Sequence, residues 1–116
     1  MSTLVEVNAV VRVEMLDRVI HMLREAGVPR LTVVPVHAIG QGVDPAAAKL
    51  SVREGTEYAE KATVRFICDG ERCAMYTELI CNAARTGRRG DGIVFTRPVL
   101  GVTKIRTSVE GPAALR

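Results

Sequence analysis

The sequence predicts an α+β domain of order βαββαβ, with an antiparallel sheet and both helices on one of its faces. Three observations carry this. Stretches of period-two hydrophobicity alternate with stretches of period three and four. Two of the strand patterns follow one another with only a polar, glycine-containing connection between them. Apolar residues make up 47% of 116 residues, and a chain of that length can bury a core without metals or disulfides. A single compact domain over 1–116 is expected.

Val5, Val7, Ala9, Val11 and Val13 alternate with Glu6, Asn8, Val10 and Arg12, as in a strand with one buried face. From Met15 the period changes. Leu16, Val19, Ile20, Leu23 and Ala26 recur at helical spacing, and Gly27 supplies the stop. Glu14 and Asp17 lie at the helix start, where the dipole favours carboxylates. Leu31 to Ile39 is β-branched and extended, and Pro35, which has no donor for a ladder, places that strand at a sheet edge.

Gly40 to Glu57 breaks every pattern and reads as a long loop, a kind of connection that is usually functional or disordered. Within it, Ala46 to Leu50 could form a helical turn once a partner or ligand orders it. Ala62, Val64, Phe66 and Cys68 then alternate with Thr63, Arg65 and Ile67 as the third strand. Asp69 or Gly70 starts a second helix with Cys73, Tyr76, Leu79, Ile80 and Ala83 on one face, and Ile93 to Val99 is the last strand. This is the split βαβ arrangement called ferredoxin-like. The sheet face away from the helices would carry Val10, Ile67 and some of Val94, Thr96 and Val99, a partly apolar set that oligomerisation could bury.

Between the second helix and the last strand lies Ala84-Arg85-Thr86-Gly87-Arg88-Arg89-Gly90-Asp91-Gly92. Its glycines allow left-handed backbone, so successive N–H groups can converge on an anion, and Arg85, Arg88 and Arg89 add positive charge. A second basic segment, Lys104-Ile105-Arg106-Thr107, follows one strand later, and alternation along an extended chain would point Lys104 and Arg106 to the same side. Together they suggest a polyphosphate site. Taken alone, such turns are also the make-up of ordinary solvated loops.

The run from Ala84 to Gly87 and from Gly90 to Phe95, with Lys104 to Thr107 after it, resembles the B-loop and C-loop of the PII nitrogen-regulatory signal proteins. The likeness extends through Val11–Val19, Gly27-Val28 and Leu31-Thr32-Val33. It implies a homotrimer that is not an enzyme. ADP, AMP or ATP would bind in the clefts between subunits as regulatory ligands rather than cofactors. A T-loop at about 41–57 would engage a membrane transporter or another target protein.

In that scheme Gly87, Arg88, Gly90, Asp91 and Gly92 stand on the phosphate side, and Lys104 and Arg106 reach the phosphates from the next subunit. Thr32 matches a threonine near the adenine, Gly40 a glycine at the T-loop base, Lys61 a lysine near the effector, and Tyr58 a tyrosine that is uridylylated in some members. The family's glutamine for magnesium and 2-oxoglutarate falls on Gly42, with Gln41 one place earlier. Its B-loop lysine is Ile93 and a T-loop-base glycine is Ala38. These departures imply better binding of ADP or AMP than of ATP. They resemble the divergent branches linked to bicarbonate handling, including carboxysome-associated ones, or to metal efflux. Bicarbonate is then a reasonable second ligand, held by Arg88, Lys61 or Arg53 if the loop folds over the cleft. The alternatives are a nitrogen-regulatory protein sensing 2-oxoglutarate, or a regulator of a metal efflux pump.

Composition narrows the other classes. A net charge of +3 from sixteen basic and thirteen acidic residues suits a small anion better than nucleic acid, and 3% aromatics cannot build a base-stacking sheet. No run approaches the roughly eighteen apolar residues of a membrane span, and Met1 to Leu4 has no signal-peptide pattern, so a cytoplasmic location is expected. Cys68, Cys73 and Cys81 read as free structural thiols. His21 and His37, with Cys68 or Cys73, lack any standard metal spacing. An enzyme would need a positioned base at the glycine turn, where Asp91 is the one obvious carboxylate.

Overall fold

The computed structural model describes residues 3–41, 43–46, 48–51 and 56–116. Strand β1 runs Leu4–Arg12, helix α1 Leu16–Glu25, β2 Thr32–Ala38, β3 Lys49–Ser51, β4 Thr56–Asp69, α2 Cys73–Ala84 and β5 Gly92–Val99. The main sheet has the order β2-β4-β1-β5, all antiparallel. Pro35 therefore lies on an edge strand, as expected, and the opposite edge strand, β5, carries Pro98.

Two boundaries differ from the sequence reading. The 41–57 region is not wholly irregular, because β3 pairs with the first residues of β4, Lys49 opposite Tyr58. Lys49 and Leu50 are thus extended, not part of a helical turn, and the third strand of the pattern begins at Thr56 rather than Ala62. At the other end of β1, Val13 leaves the strand for a 3-10 turn over Val13–Met15 and is exposed.

The helix-side face of the sheet forms the core. Val7, Ala9 and Val11 of β1 and Val64, Phe66 and Cys68 of β4 meet Val19 and Leu23 of α1 and Tyr76, Ile80, Ala83 and Ala84 of α2. Phe66 and Tyr76 pack edge to face, with centroids 5.4 Å apart. Burial pushes the Cys68 thiol up to about 11, and all three cysteines are free. Ile20, expected in the core, is half-buried outside that cluster, and Met22 packs against it.

Register sorts the other face. Val10 lies opposite Ile93 and Thr63, Asn8 opposite Phe95 and Arg65, and Glu6 opposite Arg97 and Ile67. Directly opposed residues share a face, so Ile93, Phe95, Arg97 and Val99 belong to the open face with Val10 and Ile67. Of the three β5 residues from which some were expected there, Val99 is on the open face and Val94 and Thr96 are not: Val94 lies opposite Ala9 and packs against the core. The parity is set by Gly92, where β5 joins β1 opposite Val11.

Helix α1 ends in a Schellman arrangement. The Gly27 N–H donates to the Arg24 carbonyl (3.1 Å) and the Val28 N–H to the Leu23 carbonyl (3.0 Å), while Val28 is buried. Gly27 has φ +96° with nothing within 4 Å of a notional Cβ, so a side chain there would meet backbone strain but no neighbour. Gly27→Ala should therefore cost about 1 to 2 kcal/mol, read by urea unfolding. An unchanged midpoint would mean that the helix ends without needing this conformation.

Candidate functional site

The glycine turn after α2 is folded around its own carboxylate. Asp91 Oδ2 accepts the N–H groups of Thr86 (2.8 Å) and Gly87 (2.9 Å), and Oδ1 accepts the Thr86 hydroxyl. The Arg88 N–H in turn donates to the Thr86 oxygen at 3.1 Å. Gly87, Gly90 and Gly92 all have positive φ. The N–H groups do converge on an anion, as the sequence suggested, but that anion is internal. Asp91 thus shapes the turn from within.

Arg12, at the end of β1, ties this turn to the start of the 41–57 region. It is 4% exposed. Its Nε donates to Asp91 at 3.0 Å, Nη1 lies 3.1 Å from Asp44, and Nη2 donates to the Arg89 carbonyl at 2.7 Å. Asp44 also accepts the Ala46 N–H at 3.0 Å, closing a turn over Pro45, and Arg88 Nη1 lies 3.9 Å from it. A second clasp runs from Arg89 Nε to the Gln41 carbonyl, at 2.8 Å. Gly92 is fixed sterically, since a Cβ there would stand 1.8 Å from the Val10 carbonyl oxygen.

Lys61 is opposite Arg12 on β4, buried, and its Nζ donates to the Gly90 carbonyl. Burial, and next the Arg12 charge, hold the Lys61 ammonium below its ordinary range. Burial also opposes the charge on Arg12, but the bonds to Asp91 and Asp44 outweigh it and raise its pKa. The Ala46 N–H, then Arg12, keep Asp44 ionised below its usual range. The Thr86 hydroxyl does the same for Asp91, with the Thr86 N–H and Arg12 adding to it. A carboxylate held so firmly is a poor general base.

Eight of the expected site residues line two cavities, whereas Gly40, Gly87, Gln41 and Tyr58 line neither. Lys61, Arg88, Gly90, Asp91 and Gly92 line one of about 440 Å³, together with Ala38 and Ile93. Thr32, Lys104 and Arg106 line another of about 590 Å³, together with Arg30 and Arg65. Lys104 and Arg106 are not on an extended chain. The Lys104 N–H donates to Val109 and its carbonyl accepts from Ser108, both at 2.8 Å, so residues 105–107 form a turn. Lys104 Nζ folds back to the Arg116 carbonyl at 2.7 Å.

Gly40 (φ +106°) follows β2, and Gln41 enters through its carbonyl, which accepts Arg89 Nε. Tyr58 lies in β4 with its ring stacked on His37, centroids 4.0 Å apart. Gly42 and Arg53 lie outside the described residues. Arg12, Asp44 and Thr86 were not anticipated. Arg12 reads as one more polar residue on an alternating strand, and Asp44-Pro45 as a plain turn.

Two outcomes follow from the buried cluster. Arg12→Met leaves two carboxylates without their shared cation and should destabilise the fold by about 3 kcal/mol in urea unfolding. Asp91 has a folded pKa below its unfolded value, so its contribution is complete above about pH 4 and is lost as pH falls through the folded value. Asp91→Asn should therefore be less stable than wild type at about pH 7 and lose less stability on acidification to about pH 3. Equal acid losses in both proteins would disprove the linkage.

With this geometry in hand, the chain can be set beside known proteins. The family described as "Nitrogen regulatory protein P-II" matches residues 4–109. A nitrogen regulatory protein P-II of Nostoc punctiforme is 32% identical over 110 residues, covering 95% of this chain and 98% of its own. The nitrogen regulatory protein GlnK2 of Haloferax mediterranei is 34% identical over 113 residues, covering 94% and 89%. The crystal structure of Arabidopsis thaliana PII bound to citrate superposes with a TM-score of 0.79 at 27% identity, covering 97% of this chain and 92% of that one. The match therefore takes in the sheet, both helices, the glycine turn and the basic hairpin together, and the chain belongs to the P-II family of nitrogen regulatory proteins.

Proposed function

We propose that this protein is a regulatory trimer that binds an adenine nucleotide between its copies and signals through residues 41–57 to a target protein. One observation carries the reading: the two basic cavities lie apart along the open face. Lys61 lines one and Arg65 the other, four residues apart along β4 and so about 13 Å. The glycine turn and the basic hairpin of one copy thus face different solvent regions. A neighbouring copy would bring its hairpin against this copy's turn and complete a polyphosphate site.

The open face supplies a contact surface for that assembly. Ile93 is 64% exposed and Phe95 39%, and they adjoin Val10 and Ile67 by register. Burying such a patch is favourable at about 25 cal/mol per Å². The mechanism would be a population shift. Asp44 and Gln41 hold the start of 41–57 against the turn, so a ligand that contacts the turn changes which arrangement of that segment is favoured.

Bicarbonate is the second ligand we favour, because Lys61 and Arg88 line the cavity next to the turn and offer a small anion two cations. The target would be a membrane transporter or another protein, reached by a chain that has among its described residues no helix long and apolar enough to cross a membrane.

Isothermal titration with ATP, ADP and AMP, each with and without bicarbonate or 2-oxoglutarate, tests this reading. Binding of ADP or AMP that tightens with bicarbonate is the expected result. Tightening of ATP by 2-oxoglutarate would instead assign nitrogen sensing, and no nucleotide binding would refute the proposal. Arg106→Ala should weaken nucleotide binding by about 1.5 to 3 kcal/mol, the worth of a charge-assisted bond to phosphate. Unchanged affinity would put the ligand elsewhere.

A further inference from the structure

A carboxylate stands beside the turn that the reading above gives to an anion. Asp44 is buried and packs directly on the glycine turn: a Cβ at Gly90 would lie 2.9 Å from the Asp44 Cβ and 3.1 Å from its backbone nitrogen. The absence of a side chain at Gly90 is what lets Asp44 approach so closely. Its neighbour Val43 is equally buried and donates its N–H to the Gly40 carbonyl at 3.3 Å. Residues 43–46 are therefore seated on the turn by packing as well as by charge.

The two oxygens of Asp44 have different tasks. Oδ1 accepts the Ala46 N–H and closes the local turn, while Oδ2 faces the cations, 3.1 Å from Arg12 Nη1 and 3.9 Å from Arg88 Nη1. The second distance is too long for a hydrogen bond, so Asp44 attracts the Arg88 guanidinium without satisfying it. Arg88 is exposed and lines the cavity of about 440 Å³ together with Lys61 and Gly90. An oxyanion entering beside Arg88 would meet a cation that already faces a carboxylate, and like charges within about 4 to 6 Å oppose one another.

We propose that Asp44 is an internal competitor of the anion: its carboxylate takes the place of a ligand at the cationic edge of the glycine turn, so that seating of residues 43–46 and binding of an oxyanion beside Arg88 oppose one another. This rests on the reading of the turn as an anion site and gives that site's regulation a sign. Without ligand the segment is seated, and the ligand loosens it. Coupling is reciprocal, so the factor by which Asp44 lowers anion affinity is the factor by which the anion weakens the seating of Asp44. Arg12 would keep Asp91 and the Arg89 carbonyl as partners, so departure of Asp44 does not leave its charge unpaired.

The test is calorimetric titration of wild type, Asp44→Asn and Arg88→Gln with sulfate, bicarbonate and ADP, alongside amide exchange at Val43 and Ala46 followed by NMR. Asparagine keeps an oxygen for the Ala46 N–H and loses the charge. Asp44→Asn should bind sulfate and bicarbonate about fivefold or more tighter than wild type, and Arg88→Gln should weaken both. In wild type, sulfate should speed exchange at Val43 and Ala46, whereas chloride at equal ionic strength should not. That measurement needs no variant to fold. Equal anion affinity of wild type and Asp44→Asn would overturn the proposal, as would exchange at Ala46 that sulfate leaves unchanged or slows. If ADP binds while those anion results fail, the nucleotide reading stands and the competitor falls. If the anions compete with Asp44 but ADP does not bind, the competitor stands and the nucleotide reading falls. If neither ADP nor either anion binds any of the three proteins, both fall.

Discussion

The end of the sheet that carries the glycine turn depends on one buried guanidinium. Arg12 reaches a carboxylate from the 41–57 region, a carboxylate from the glycine turn and a carbonyl of that turn. Removing so many charges from water is costly, and mutual attraction offsets the cost only where geometry and further hydrogen bonds are good. Here both carboxylates have backbone donors as well, Ala46 for Asp44 and Thr86 with Gly87 for Asp91. Lys61, the neighbouring cation across the strand pair, donates to the Gly90 carbonyl. The cluster links three segments distant in sequence, which gives the site a defined shape at a point where the apolar core no longer reaches.

That arrangement ties the 41–57 segment of a small domain to a rigid base. The core is built from β1, β4 and the two helices, and Arg12 is the last residue of β1, one step beyond Val11. The anchoring cation therefore inherits the rigidity of the sheet. Changes of charge beside it act on the segment that Asp44 and Gln41 hold, without requiring the core to move.

Much of the fold was legible because burial is periodic along each element. Both helices, the edge position of β2 and the core faces of β1 and β4 follow from spacing alone. What escaped was set by distant or very short structure. The side on which Val94 lies depends on where Gly92 meets Val11 across the sheet. A three-residue strand such as β3 leaves almost no period to read. The turn over 105–107 is closed by Val109 and Ser108, which no alternation reveals. At the site, the glycines and exposed cations announced themselves by type, whereas Arg12 did not, because its carboxylate partners lie 32 and 79 residues away.

The prolines at the two edges of the sheet have a consequence for assembly. A free edge is a template onto which a foreign strand can zip, and an unbroken row of donors and acceptors invites open-ended growth. Pro35 removes a donor from one edge strand and Pro98 from the other. Each edge is therefore a poor template for a continuous intermolecular sheet, which disfavours fibres and directs any packing of copies towards the open face.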